Sequence, residues 1–295
     1  MKRLREIQLP VRMERPARNR AEEDDQIRTN FHTHTARCLH AAGEDGDYAQ
    51  AAYEAGYARL GYSDHTPWPS SRSVQTRMRM PAAELEGYVR SVRRLQAEYK
   101  GRMEIALGLE AEYYPDMMGW LEERRAEHGI SFLLFGNHYD HPREDFYFGT
   151  VHTPRELRRY ADHALEALSC GAFDVFAHPD VFMSSYPRFD ADCRSVSREL
   201  CAAARENGVV LEFNVSGLYN HFRRGPGFPC LEFWQLAAAE GAGAIIGIDA
   251  HSPQRFADVE LYDLAVQHLQ ALGIPRVECP AGLGEKRKAQ EVSHA

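Results

Sequence analysis

The strongest constraint on the fold is the order in which predicted strands and helices follow one another. Seven short strand-like runs alternate with amphipathic helical stretches, and no long linker separates them. This alternation is typical of α/β proteins in which helices cover a parallel sheet. It favours one barrel-like domain over two domains. The strands are predicted at Ile27–Phe31, Arg59–Tyr62, Ile105–Leu109, Phe132–Phe135, Val175–Ala177, Val209–Phe213 and Ala244–Ile248.

Two helices are predicted in more detail. The segment from Thr153 to Glu156 supplies a capping threonine, a proline for the first turn and a glutamate that completes a capping box. Apolar residues then recur with a period of about 3.6 as far as Leu168. A second helix carries its apolar residues on one face between Leu85 and Tyr99.

Both ends of the chain are charged and lack sustained apolar periodicity. We predict a mobile N-terminal arm at residues 1–26, a single barrel domain at 27–281 and a charged tail at 282–295. A transit peptide is the alternative for the arm, but Glu6, Glu14 and two prolines count against it.

Composition excludes several classes of protein. No apolar run approaches the roughly 20 residues of a membrane-spanning helix, and no signal-peptide pattern is seen, so a soluble cytoplasmic protein is expected. The six cysteines form no C-x-x-C pair, which argues against a disulfide framework or a thiolate zinc site. The net charge of −8 argues against polymeric nucleic acid as a partner. The oligomeric state is left open.

Polar residues stand at the carboxyl end of every predicted strand. Parallel barrels gather their chemistry at this end. The His-x-His and Asp-x-His spacings place two side chains on one face of an extended segment. Seven of the fourteen histidines and two carboxylates recur at these ends: His32, His34, His40, His65, Glu110, His138, His178, Asp249 and His251.

Together these residues predict a metal centre, although each one alone is more often a surface or hydrogen-bonded residue. Nine ligands exceed what one tetrahedral or octahedral ion binds, so two or three divalent ions are expected. Imidazole ligands favour zinc, iron or manganese over magnesium or calcium, and they do not choose among the first three. Neighbouring ions can lower the pKa of a bound water toward roughly 7, which supplies a nucleophile for phosphate esters.

At these positions the sequence resembles the PHP (polymerase and histidinol phosphatase) superfamily, and within it the histidinol-phosphate phosphatase branch. The resemblance spans roughly residues 28–255. The motifs that carry it are Phe31-His32-Thr33-His34-Thr35, Cys38-Leu39-His40-Ala41, Tyr62-Ser63-Asp64-His65-Thr66-Pro67, Arg77-Met78-Arg79-Met80, Gly108-Leu109-Glu110-Ala111-Glu112, Ala177-His178-Pro179-Asp180, Asn214-Val215-Ser216-Gly217-Leu218 and Asp249-Ala250-His251.

The resemblance implies a distorted (β/α)7 barrel, similar to a TIM barrel, with a trinuclear metal site at the carboxyl ends of its strands. It also implies a metal-dependent phosphomonoesterase of histidine biosynthesis, in which a metal-bridging hydroxide attacks L-histidinol phosphate. Glu110, Asp249 and His251 are the implied catalytic residues. The implied ligand sets are His32, His34, Glu110 and Asp249 for one ion, Glu110, His138 and His178 for a second, and His40, His65 and His251 for a third.

Two positions depart from the branch. Asn137 stands where a small residue is usual, and it is expected to reshape the pocket near the substrate. Ile248 stands where a serine or threonine is usual. Neither departure removes a ligand.

Substrate contacts are less constrained by the sequence. Arginines near the strand ends can clamp phosphate or lie in solvent, and Asn214 can bind ligand or hold a loop. Asp64 and Asp180 can orient a histidine or protonate the leaving group, and Trp68 and Tyr113 can contact a substrate ring or simply pack. His128, His152, His163, His268 and His294 are predicted as surface residues, while His141 and His221 are not assigned. The arginine candidates are Arg37, Arg77, Arg188 and Arg223.

Two other functions are weighed against this one. The same site can serve a phosphoesterase that acts on nucleotides or phosphodiesters. The chain can also be a non-catalytic metal-binding module, but complete ligand sets usually accompany chemistry. The sequence therefore favours an enzyme that hydrolyses a small phosphate ester.

Overall fold

The computed structural model describes residues 27–69, 78–142, 146–225 and 227–283. Seven parallel strands follow one another around the sheet in chain order, and helices cover the outside. The predicted (β/α)7 barrel is confirmed. The strands are β1 (Arg28–Asn30), β2 (Tyr57–Tyr62), β3 (Glu104–Ala111), β4 (Phe132–Gly136), β5 (Val175–Ala177), β6 (Val210–Asn214) and β7 (Ala244–Gly247).

The helices agree with the sequence patterns. Thr153 and Glu156 form the predicted capping box at the start of the helix that ends at Ser169. The helix that begins at Leu85 buries the predicted apolar face. The helices are α1 (Asp45–Glu54), α2 (Leu85–Glu98), α3 (Met118–His128), α4 (Pro154–Ser169), α5 (Ala191–Glu206), α6 (Val215–Arg224), α7 (Leu231–Ala239) and α8 (Val259–Leu272).

The predicted arm at 1–26 and nearly all of the predicted tail at 282–295 lie outside the described residues. Within the part of the chain that is described, no helix is both long and apolar enough to cross a lipid bilayer.

Apolar side chains fill the barrel beneath the strand ends. Phe31 and Phe132 meet edge to face there, with ring centroids 5.4 Å apart. Gly61 and Gly108 make room for them, because a Cβ at Gly108 would lie 2.3 Å from the Phe132 ring. These side chains form an apolar plug, which packs tightly beneath the polar residues at the strand ends. Its members are Phe31, Ala106, Phe132, Leu134, Val175, Ala177 and Ile245.

The barrel closes between β1 and β7 through a side chain. Asn30 is fully buried, and its Oδ1 accepts a hydrogen bond of 2.7 Å from the backbone of Ile248. Its Nδ2 donates to the carbonyl of His32 at 3.1 Å and to the hydroxyl of Thr33 at 2.8 Å. The backbone of Ala250 then pairs with the segment that follows β1. Asn30 therefore stabilises the seam, the junction of β1 and β7, where the polar residues after the first and last strands lie side by side.

We predict that Asn30→Ala lowers the free energy of unfolding of the metal-free protein by about 2–3 kcal/mol, because the buried Ile248 N–H, the His32 carbonyl and the Thr33 hydroxyl lose their hydrogen-bond partner. Urea unfolding measures this change. Asn207→Ala is the matched control, since its amide donates to Ala203 at the exposed end of α5. An equal effect in both variants would contradict the role of Asn30 in closure.

Candidate metal centre

A buried carboxylate lies at the centre of the site. Glu110 points from β3 into the barrel and is 1% exposed, yet both of its oxygens lack a well-aligned hydrogen bond. Imidazole nitrogens surround it instead. Its Oε2 lies 3.4 Å from His32, 3.3 Å from His34 and 3.0 Å from His65, and its Oε1 lies 3.4 Å from His138 and 3.3 Å from His178.

Electrostatics keep Glu110 ionised. Burial opposes its charge, but the surrounding histidines, His138 first, hold the pKa of this carboxyl well below its usual value. A buried anion without aligned donors is costly unless cations lie beside it.

Asp249 provides a second carboxylate across the seam. Its Oδ1 lies 3.5 Å from His32 Nε2 and 3.4 Å from His34 Nε2. Asp249 and His178 both have positive φ angles, 53° and 34°. Such conformations are uncommon for non-glycine residues and concentrate at functional sites.

His40 and His251 form the outer part of the site, and His65 lies deeper, beside Glu110. The Nε2 atoms of His40 and His251 face each other at 2.9 Å, while their Nδ1 atoms lie near the carbonyls of Cys38 and Asp249. Burial lowers the pKa of His251 to about 4 and also lowers the pKa values of His40 and His65. All three rings are therefore neutral at pH 7, which is the form that binds metal ions.

The donor set fits a cluster of divalent cations. Triplets of ligand atoms within 4.8 Å of one another match the spacing of ligands around one ion. The structure thus brings together all nine residues that the sequence singled out. The triplets include His32, His34 and Glu110; His34, His65 and His251; and His32, His178 and Asp249.

A further carboxylate that the sequence analysis missed supports two of these histidines. Glu212 lies on β6 and is 1% exposed. Its Oε1 is 2.6 Å from His32 Nδ1, and its Oε2 accepts from the backbone of His178 and from Asn214 Nδ2, each at 3.0 Å. Strand alternation offered a signal, because Glu212 and Asn214 lie two residues apart and face the same side.

A second missed group supports His138. Glu112 Oε1 lies 3.3 Å from His138 Nδ1. Arg79 donates one hydrogen bond to each carboxylate oxygen of Glu112, at 2.9 and 3.1 Å. Trp68 Nε1 also donates to this carboxylate, at 2.9 Å. Burial opposes the charge, but Arg79 keeps the pKa of Glu112 well below its usual value. Trp68 is therefore a hydrogen-bonding residue of the scaffold.

Glycines leave space for these carboxylates. A Cβ at Gly136 would lie 2.5 Å from Glu110 Oε1, and a Cβ at Gly247 would lie 1.8 Å from Glu212 Oε1. Each glycine stands two residues before a candidate ligand, His138 or Asp249. Larger side chains at these positions would displace the carboxylates.

Two expectations about residues near β4 are wrong. The Asn137 side chain does not reshape the pocket, because its Nδ2 donates to the carbonyl of Tyr160 in α4 at 3.0 Å. His163 is buried rather than on the surface, with its nitrogens 2.7 Å from Asn137 Oδ1 and 2.8 Å from the Tyr113 carbonyl. Asn137 and His163 therefore join β4 to α4, and the Tyr113 ring packs against His163.

Asp64 and Asp180 each stabilise a loop through hydrogen bonds. Asp64 accepts from the backbone and the hydroxyl of Thr35, both at 2.8 Å, and so fixes the turn after β1. Asp180 accepts from the backbone of Cys230 at 2.6 Å and from Trp234 Nε1 at 3.2 Å. Neither lines the cavity at the site, so neither is placed to protonate a leaving group.

The three arginine candidates that the structure describes do not line the cavity. Arg37 pairs with Asp45, and Arg188 is exposed. Arg223 donates to the hydroxyl of Tyr219 at 2.5 Å. Arg77 lies outside the described residues.

Asn214 caps α6 instead of facing the cavity. Its Oδ1 accepts from the backbone of Gly217 at 2.7 Å, and its Nδ2 donates to Glu212 and, at 3.3 Å, to Asp249. It therefore holds two carboxylates in place.

The site opens into a cavity of about 280 Å³. One wall carries Tyr147, which stacks near His138 with ring centroids 6.2 Å apart. Its hydroxyl has no hydrogen-bond partner among the described residues, and burial raises its pKa well above the usual value. Tyr147 was not among the residues predicted from the sequence. The remaining walls are Met78, Tyr139, Val181 and Phe228.

Comparisons with known proteins agree with this architecture. The PHP domain family model matches residues 30–216. A probable histidinol-phosphatase of Deinococcus radiodurans is 30% identical over 241 residues, which cover 77% of this chain and 89% of the relative. The histidinol-phosphatase of Bacillus subtilis is 25% identical over 259 residues, which cover 75% and 92% of the two chains.

A solved structure shares the fold. The histidinol phosphate phosphatase of Lactococcus lactis, in complex with zinc, L-histidinol and phosphate, aligns with a TM-score of 0.69 and 17% identity. The alignment covers 86% of this chain and 97% of that one. The chain belongs to the PHP domain family, as its motifs predicted.

We predict that Gly247→Ala weakens metal binding by about 10- to 100-fold, because the new methyl group displaces Glu212 from His32. Metal titration of the apoprotein measures the loss. Gly243→Ala is the matched control, since its Cβ would meet nothing closer than 3.5 Å. Equal affinities in both variants would show that Glu212 is dispensable.

Proposed function

We propose that the protein is a metal-dependent histidinol-phosphatase, which hydrolyses L-histidinol phosphate to L-histidinol and phosphate. The observation that carries the proposal is the Glu110 carboxylate, buried without aligned donors and faced by five imidazoles at the mouth of a PHP barrel. The names of its relatives from Deinococcus radiodurans and Bacillus subtilis support the substrate.

Two or three divalent ions of zinc, iron or manganese are proposed to occupy this site. The cations would provide Lewis acidity for the phosphate and would lower the pKa of a bound water. Glu110 is proposed to serve two of the positions, because its two oxygens face different histidines. The proposed ligand groups are His32, His34, Glu110 and Asp249; Glu110, His138 and His178; and His40, His65 and His251.

The chain's own groups preorganise this site. Glu212 and Glu112 fix the rings of His32 and His138, so that the opposite nitrogens face Glu110. Tyr147 is proposed to donate a hydrogen bond to a phosphate oxygen, since its hydroxyl stays protonated and is not engaged by the described residues. These contacts position the ester before reaction and cost no reorganisation during it.

The size and surroundings of the cavity favour a small monoester. A volume of about 280 Å³ suits a ligand of the size of histidinol phosphate, and aromatic and apolar walls suit an imidazole ring. A nucleotide or phosphodiester is the alternative substrate. The kcat/KM values for L-histidinol phosphate, a mononucleotide and single-stranded DNA separate the two, and we expect the first to be the highest with zinc, iron or manganese bound.

We predict that Glu110→Gln lowers kcat/KM for L-histidinol phosphate by at least about 100-fold, because it removes the charge shared by two metal positions. Steady-state kinetics on protein of measured metal content tests this. Glu166→Gln, on the exposed face of α4, is the control and should retain activity. Near-normal turnover in a fully loaded Glu110→Gln protein would falsify the proposed function.

We predict that Tyr147→Phe lowers kcat/KM by about tenfold, which corresponds to the loss of one hydrogen bond. Phosphate-release assays measure the change. Tyr113→Phe is the control, because the Tyr113 ring packs against His163 away from the cavity. If both variants match the unmodified enzyme, Tyr147 makes no contact with the substrate.

A further inference from the structure

A cysteine lies among the candidate metal ligands. Cys38 is fully buried at the end of a 3-10 turn, Ala36–Cys38, directly after the His-x-His motif. Its Sγ lies 4.0 Å from His40 Nε2. The sulfur and the ring nitrogens of His40 and His251 all lie within 4.8 Å of one another, which is compatible with ligation of one ion.

The local backbone holds this sulfur in place. Thr35 caps the turn, and Asp64 fixes Thr35 by two hydrogen bonds of 2.8 Å. Leu39 adopts a left-handed conformation with φ of 67° and is 56% exposed. The chain therefore turns Leu39 outward and brings Cys38 and His40 to the same side.

The neighbouring nitrogens indicate a cation independently of the cysteine. His40 Nδ1 lies 2.7 Å from the Cys38 carbonyl, and His251 Nδ1 lies 3.1 Å from the Asp249 carbonyl. Each Nδ1 therefore carries the proton, and the two Nε2 lone pairs face each other at 2.9 Å. A cation between these two lone pairs would satisfy both Nε2 atoms. The His65 ring, which is 4% exposed, stacks against His40 with centroids 5.5 Å apart, and its Nδ1 lies 3.0 Å from Glu110 Oε2 without a well-aligned hydrogen bond.

We propose that Cys38 Sγ ligates the divalent cation held by His40 and His251, and that it biases this position toward zinc over manganese. The inference rests on the metal sites of the proposed function. Thiolates prefer zinc, whereas manganese prefers oxygen ligands. Cys38 thus favours zinc over manganese at a position where the imidazoles and carboxylates alone leave the metal open.

The chemistry of the ligation is a proton exchange. In the metal-free protein Cys38 is a buried free thiol, and its sulfur carries a proton. As the bond between sulfur and metal forms, the S–H bond breaks and its proton passes to solvent. Sulfur and metal keep their oxidation states.

Cobalt substitution tests the ligation. Apoprotein loaded with Co²⁺ should show the near-ultraviolet charge-transfer absorption of a thiolate bound to cobalt, and Cys38→Ser should lose it. Cys193→Ser is the matched control, because Cys193 is also buried but lies on α5 with its sulfur 3.7 Å from the Arg188 carbonyl. Absence of the band from the unmodified protein, or its persistence in Cys38→Ser, overturns the proposal.

A second measurement needs no variant. In ¹¹³Cd NMR spectra of the cadmium-loaded protein, one resonance should lie far downfield of the others, as expected for a thiolate ligand. Resonances confined to the range of nitrogen and oxygen ligands overturn the proposal.

Metal competition tests the bias. The ratio of the Mn²⁺ to the Zn²⁺ dissociation constant should fall by more than about tenfold in Cys38→Ala, and should not change in the Cys193→Ser control. An unchanged ratio in Cys38→Ala contradicts a role for the sulfur in metal choice.

The outcomes separate this inference from the proposed function. If the loaded protein hydrolyses L-histidinol phosphate but lacks the thiolate signatures, the ligand assignment fails and the phosphatase stands. If the signatures are present but the ester is not hydrolysed, the assignment stands and the proposed function fails.

Discussion

The structure depends on one electrostatic constraint, the buried charge of Glu110. A carboxylate at this depth is stable only if positive charge compensates its loss of hydration. Histidines from the segments that follow β1, β2, β4 and β5 converge on it, and no well-aligned donor satisfies its oxygens. The site is thus preorganised for cations, and its geometry follows from the need to neutralise this group.

The scaffold around Glu110 serves the same constraint. The apolar plug packs tightly beneath the strand ends, Gly136 and Gly247 leave room for carboxylates, and Asn30 closes the seam. Glu212 and Glu112 orient histidines from behind, the latter through a buried ion pair with Arg79. Breaking this ion pair would leave a buried charge unpaired, which is costly, so the carboxylates that orient the histidines are held in fixed positions. A cluster of several close cations requires ligands held in fixed positions.

The sequence predicted the barrel and the nine residues that the structure brings together, but not what holds them. Their ligand roles are still a prediction. Glu110 was predicted because it directly follows the predicted strand Ile105–Leu109. Glu212 lies inside the predicted strand Val209–Phe213, and its contact with His32 exists only in the folded chain. The prediction of His163 as a surface residue is wrong because its position in a helix does not reveal its hydrogen bonds to Asn137 Oδ1 and the Tyr113 carbonyl. The candidate phosphate-binding arginines were predicted because they lie close in sequence to strand ends. Closeness in sequence does not determine where a long side chain points.

The sequence by itself determined the periodicities, the caps and the polar strand ends, because these depend on residues a few positions apart. It therefore specified a seven-stranded α/β barrel with its chemistry at one end. Only the tertiary structure decided which nitrogen of each histidine faces the centre of the site and which carboxylates contact the opposite nitrogen. It also decided that Cys38 lies close to His251. Cys38 and His251, for example, lie 213 positions apart in the sequence, so their approach depends on how the strands close into a ring.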